Sequence, residues 1–154
     1  MGGTPSMKLD NALKGITVLG FDTSPFIYFV EEQPNYLDVM REIIRRIDKG
    51  ILFGYSSVIT LTEVLVQPKK LGKTTLEQEY RALLQQSRNF DLVRIHETIA
   101  EEAAALRARY AIRTPDALQI AAAIEAGCQA FLTNDKRLQS ISELTILLLD
   151  DIEL

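Results

Sequence analysis

The chain reads as an α/β domain: a three-layer α/β/α sandwich around a central, mainly parallel sheet of about five strands. Two observations predict this. Short apolar runs rich in β-branched residues recur along the 154 residues, and each is followed by a longer segment with helical periodicity. Strands that are apolar on both sides belong to a sheet covered on both faces. Right-handed crossovers then place helices above and below it.

The elements follow in order. Residues 1–15 read as an N-terminal extension and 16–154 as a single domain. In the extension, residues 6–13 predict a short helix, with Ser6 as N-cap and Gly15 as its stop. Residues 16–22 (ITVLGFD) are apolar and β-branched and predict a buried strand. Ser24 as N-cap and Pro25 at the first position then predict a helix that ends before Pro34. Residues 35–49 carry Leu37, Met40, Ile43, Ile44 and Ile47 on one helical face, and Gly50 ends them. Residues 51–57 predict the second strand. The next helix contains Glu63 and is expected to stop near Pro68, leaving a basic loop over 69–74. Residues 75–88 are helical, 90–95 form a third strand, and 97–110 form an alanine-lined helix. Thr114 is expected to cap a helix over 115–126 that Gly127 ends. Residues 130–134 give a fourth strand and 144–150 a fifth.

Bulk properties narrow the chemistry. A net charge of −4 argues against coating nucleic acid through overall charge, though not against a local basic patch. One cysteine, Cys128, excludes an internal disulfide, and with His96 as the sole histidine a thiolate–imidazole zinc site lacks ligands. No apolar run reaches the length of a membrane span, and the segment MGGTPSMK lacks the apolar core of a signal peptide. A cytoplasmic location without membrane contact is the expectation.

The informative residues are four acids, each beside an apolar run: Asp22, Glu63, Asp116 and Asp135. Asp22 and Asp135 end strands. Glu63 and Asp116 lie early in helices, and a crossover helix starts at the carboxyl edge of a parallel sheet. All four are therefore assigned to one rim, where open α/β sheets bind ligands. Glu63, among Ile59, Leu61, Val64, Leu65 and Val66, is the acid hardest to leave unpaired. Each of the others has an ordinary reading as a cap or turn residue.

Clustered carboxylates call for a counter-ion, and Mg²⁺ or Mn²⁺, which prefer oxygen ligands, would suit them. A hard cation on an open rim supports phosphodiester hydrolysis. Ser24 and Thr133 are short hydroxyl residues placed to assist. Arg113, Lys136 and Arg137, with Arg109, flank the later acids, and Lys69, Lys70 and Lys73 follow the Glu63 helix; these are candidates for contact with backbone phosphates. Phe26, Tyr28 and Tyr55 are aromatic candidates for base stacking, although helical spacing favours core packing.

These residues resemble the PIN domain, the fold of the toxin ribonucleases of VapBC-type toxin–antitoxin modules. The motifs are FDTSPFIYFVE at the first acid, SVITLTEVL at the second, RTPDALQIAAAIEAGC at the third and FLTND at the fourth; the resemblance spans roughly residues 16–150. It implies a Mg²⁺- or Mn²⁺-dependent endoribonuclease. Asp22, Glu63, Asp116 and Asp135 would be its metal-binding acids, with Thr133 and Ser24 in support. It also implies a homodimer inhibited by a cognate antitoxin protein. The alternative is a non-catalytic module of the same fold that binds RNA or protein. A phosphatase of the haloacid-dehalogenase type would want an acid two residues after Asp22, where Ser24 stands.

Overall fold

The computed structural model describes residues 7–154. In chain order its elements are β1 (Met7–Lys8), α1 (Leu9–Ala12), β2 (Val18–Phe21), α2 (Thr23–Val30), α3 (Leu37–Asp48), β3 (Phe53–Ser57), α4 (Val58–Leu71), α5 (Thr74–Gln86), β4 (Phe90–Val93), α6 (Glu97–Arg109), α7 (Thr114–Glu125), β5 (Ala130–Thr133), β6 (Thr145–Leu148) and β7 (Ile152–Glu153). Short 3₁₀ turns occupy Lys136–Ser140 and Leu149–Asp151. Among the described residues no helix is long and apolar enough to cross a membrane.

Five strands pair in the order β4-β3-β2-β5-β6, all parallel, as the apolar strand runs predict. Their side chains alternate between two cores. Leu19, Phe21, Ala130 and Leu132 meet Phe26, Met40, Ile43, Ile47, Tyr80 and Leu84 on one face. Phe131 meets Ile99, Leu106, Ile120 and Leu138 on the other. Gly20 has a packing reason: a Cβ there would lie 2.9 Å from Ala123 Cβ, so only glycine lets α7 lie this close to β2. That contact fixes α7, and with it Asp116, against the central strand.

Several expectations change. The predicted cap Ser6 lies outside the described residues, and the first helix is only Leu9–Ala12. Met7 and Lys8 instead pair in parallel with Ile152 and Glu153, a two-residue ladder too short to show a period in sequence. Leu9, Ala12 and Leu13 are buried in the main core. Ser24 does not cap α2; Asp22 does, from extended backbone at the end of β2, accepting from the Thr23 N–H at 2.8 Å. Thr114 is the first residue of α7 rather than its cap, and its Oγ1 accepts from Arg107 Nη1 at 2.8 Å. Pro68 lies inside α4, which continues to Leu71 and ends at left-handed Gly72. The lost backbone hydrogen bond falls near the helix end, and burial of Val64 and Pro68 offsets it. The expected basic loop is therefore mostly helix, and Lys69 pairs with Glu77 at 3.0 Å.

Phe26 is a core residue. It packs with Phe21 and Phe90 at ring separations of 5.1 and 5.4 Å, so it is not available to stack a base.

Candidate active site

Two strand-to-helix junctions build half of the site without any loop. β2 ends at Phe21, and Asp22 is at once the next residue and the cap of α2. β3 ends at Ser57, which caps α4 by accepting from the Ile59 N–H at 3.1 Å. Each junction leaves its side chain at the carboxyl edge of the sheet. Glu63 follows six residues further along α4. Asp116 sits in the first turn of α7, and Asp135 caps the 3₁₀ turn after β5.

All four acids line one open cleft of about 330 Å³, together with Thr23, Ser24, Ile27, Tyr28, Arg113 and Asn134. The expected convergence on a single rim is therefore present. Thr133 is fully buried beneath the cleft. Its hydroxyl donates to Asp22 Oδ2 at 2.7 Å and accepts from the Asp135 N–H at 3.0 Å, linking the first and fourth acids. Ser24 lines the wall. Arg113 and Arg137 stand beside Asp116 and Asp135, whereas Arg109 is turned away onto Glu143 at 2.7 Å, and Lys136 is exposed.

The acids differ in electrostatic setting. Burial pushes the Asp22 carboxyl above the usual carboxylate range. Hydrogen bonds from Thr133 and the Thr23 N–H pull it back, and Asp116 and Glu63 push it further up. Burial likewise raises Asp116, against the pull of Arg113, with Asp135 adding to the rise. Asp135 is held below the usual range, chiefly by the Arg137 guanidinium, whose Nη2 and Nε donate to it at 2.6 and 3.0 Å.

Glu63 corrects the sequence reading. It is exposed, because its helix turns it out of the apolar face that carries Val64. Its charge is not a buried one needing rescue. What holds it is the hydroxyl of Thr23, which donates to Oε1.

A buried polar network under the cleft has no counterpart in the sequence reading. Gln119 Nε2 donates to Thr60 Oγ1 at 2.7 Å and to Thr23 Oγ1 at 3.2 Å, and Gln119 Oε1 accepts from Ser57. Ser56 Oγ lies 2.8 Å from Thr60 Oγ1 and 2.9 Å from the Phe21 carbonyl oxygen. Among the described residues no buried side-chain polar atom lacks a partner, so the network is closed. Sequence held one usable signal: Gln119 is the polar residue within the apolar run ALQIAAA, three positions after Asp116 and hence on the same helix face.

The residue types fit a hard divalent cation. The donors are all oxygen, Asp22 is pushed up by burial and by two neighbouring carboxylates, and no Lys or Arg ion-pairs with Asp22 or Glu63 among the described residues. Their present arrangement is not a ready-made cage: among the described residues no group of three or more His, Cys, Asp or Glu side chains forms a metal-binding cluster. The reason is local. Glu63 is held by Thr23, and Asp135 is turned onto Arg137.

Comparisons with known proteins agree with this architecture. VapBC2 from Rickettsia felis, bound to a DNA fragment from their promoter, superposes with a TM-score of 0.70 at 17% identity, over 85% of this chain and 98% of that chain. A toxin–antitoxin complex from Klebsiella pneumoniae gives 0.63 at 25% identity, over 82% and 95%. DNA-bound VapBC from Salmonella typhimurium gives 0.68 at 16% identity, over 87% and 99%. No curated protein sequence matches the chain significantly. The PIN domain family model matches residues 21–144, a span that carries Asp22, Glu63, Asp116 and Asp135 together with the strands and helices that bring them to one edge. By that match the chain belongs to the PIN domain family.

Proposed function

We propose that the protein is a Mg²⁺- or Mn²⁺-dependent endoribonuclease, and the toxin of a toxin–antitoxin module. One observation carries the reading: Asp22, Glu63, Asp116 and Asp135 line a single open cleft at the carboxyl edge of a parallel sheet. Membership of the PIN family and structural likeness to VapBC and toxin–antitoxin complexes support it. The same likeness supports a cognate antitoxin as partner. A homodimer is also expected, and exposed Val66 and Leu71 on α4 offer apolar surface for protein contact.

The four acids would hold the cation, which when bound supplies Lewis-acid polarisation of the phosphodiester and a more acidic attacking water. The protein's own groups set the frame. Thr133 and the Thr23 N–H hold Asp22 at two oxygens, and the Thr23 hydroxyl holds Glu63. The Gln119 network fixes Thr23 in turn, so two acids from different elements keep one relative position. Arg113 and Arg137 put positive charge on the rim, where a phosphate backbone would approach.

The test is cleavage of fluorophore-labelled single-stranded RNA with Mg²⁺, with Mn²⁺ and with EDTA, alongside thermal melts. Cleavage with either cation and its loss in EDTA is the expected result. Melting temperature should also rise with added cation, as ligand linkage requires, and this rise should vanish in Asp22→Asn. RNA binding without product in both cations would replace the nuclease by a binding module of the same fold.

A further inference from the structure

The geometry points to a nucleobase platform beside the acids, formed by the ring of Tyr28 and backed by Tyr36; it rests on the RNA-cleaving reading above. Tyr28 shares the cleft-facing side of α2 with Ser24 and Ile27, at i, i+3 and i+4 spacing. It is half-buried and lines the same cleft as Asp22 and Asp135. Phe26, two residues earlier, points into the core. Tyr28 also packs against the edge of the main core, so α2 carries one wholly buried aromatic and one that touches the core and still reaches the cleft.

The Tyr28 ring is held in place. Tyr36 stacks on it with centroids 4.2 Å apart and planes 22° from parallel. Tyr36 is not among the residues lining the cleft, so it backs the ring from outside. Its hydroxyl donates to Asp150 Oδ1 at 2.6 Å, and the Asp150 N–H donates to Asn134 Oδ1 at 2.9 Å. Asn134 lines the cleft next to Asp135. A continuous chain of contacts therefore ties the ring to the end of β5.

Both rings pack against the main core, but that packing needs neither a cleft position nor a second ring pinned by its hydroxyl. A flat ring fixed in advance loses little entropy when a base stacks on it, and every base offers a π-face. The surrounding carboxylates repel a polyanion, so an uncharged contact beside them has a clear use. The base held there belongs to a nucleotide adjacent to the cleaved phosphate. Purines, with the larger stacking face, are preferred over pyrimidines.

The experiment uses the full chain with Asp22→Asn, which cannot consume the probe, and fluorescein-labelled oligoadenylate, oligouridylate and an abasic ribose-phosphate oligomer, read by anisotropy. Tyr28→Leu should weaken oligoadenylate binding about 5- to 150-fold, the range of one base–aromatic stack. It should leave the abasic oligomer within twofold. Tyr28→Phe keeps the ring and should keep the affinity. A single abasic nucleotide moved through the oligomer should locate one position whose loss falls in the same range of about 5- to 150-fold; this arm needs no ring variant and holds even if that variant does not fold. Oligoadenylate binding by Tyr28→Leu within twofold of the Asp22→Asn parent overturns the platform, as does an abasic scan without a distinct position or a change in oligomeric state alone. If the unsubstituted protein still cleaves RNA in those cases, the nuclease reading stands and only the platform falls.

Discussion

The two halves of the acidic rim bear similar formal charge and manage it in different ways. Asp22 and Glu63 are held by hydroxyls and a backbone N–H, over a closed network of Thr23, Thr60, Ser56, Ser57 and Gln119. Asp116 and Asp135 stand beside arginines, Arg113 at 3.7 Å and Arg137 at 2.6 Å. Among the described residues the first half is positioned but lacks a protein cation; the second carries its own. An external cation, as proposed, would gain most at Asp22, whose ionised form burial opposes, and would have to compete with Arg137 for Asp135.

The largest effect should come from removing charge on the side without arginine. Asp22→Asn is expected to lower RNA cleavage by at least about a hundredfold, the upper range for groups that only orient a metal's ligands, while raising the melting temperature of the cation-free protein. Undiminished cleavage by a well-folded Asp22→Asn protein would remove Asp22 from the site. Next comes the frame itself. Gln119→Leu strands the buried hydroxyls of Ser57, Thr60 and Thr23 and should cost about 1–3 kcal/mol, a fall of roughly 2–12 °C in melting temperature. A calorimetric midpoint equal to the parent's would show that the network is dispensable.

Arg137→Ala should do much less to stability, because its guanidinium is 61% exposed and the pair is screened. Its signature is pH dependence. Asp135 is lowered in the folded state, so its pairing adds stability above the ordinary carboxylate range, and this is lost as pH falls through the lowered value. Asp22 and Asp116 are raised, so they oppose folding above that range, and the opposition eases as pH falls. Urea melts across the acid range should therefore show a shallower acid loss in Arg137→Ala. An unchanged profile would mean that Asp135 is not compensated by Arg137. The smallest expected effect lies outside both pairs. Burial pushes the Cys128 thiol up to about 12, so a thiol reagent at pH 8 should leave it almost unmodified in the native protein and label it in urea.

Sequence made the frame legible where a period or a motif repeated. Apolar strand runs and helical stripes yielded five parallel strands and their flanking helices, and strand ends placed Asp22 and Asp135 on one edge. It failed where a contact joins distant residues. The apolar neighbours of Glu63 in the chain predict burial, but rotation along α4 exposes it and leaves Val64 inside. Pro68 predicts a stop, yet it is buried within a helix that continues to Leu71. Gln119 and Thr60 lie 59 residues apart, so their bond has no local trace.

The amino-acid order alone determined the alternation of strands and helices and the placement of four acids at their junctions, because those depend on local periodicity and on chain direction in a parallel sheet. Tertiary structure alone decided how each acid is held: by hydroxyls at Asp22 and Glu63, by arginine at Asp135, and with the Tyr28 ring beside them. Side-chain partners are chosen by distance in space, and burial sets the cost of each charge only once the layers have packed.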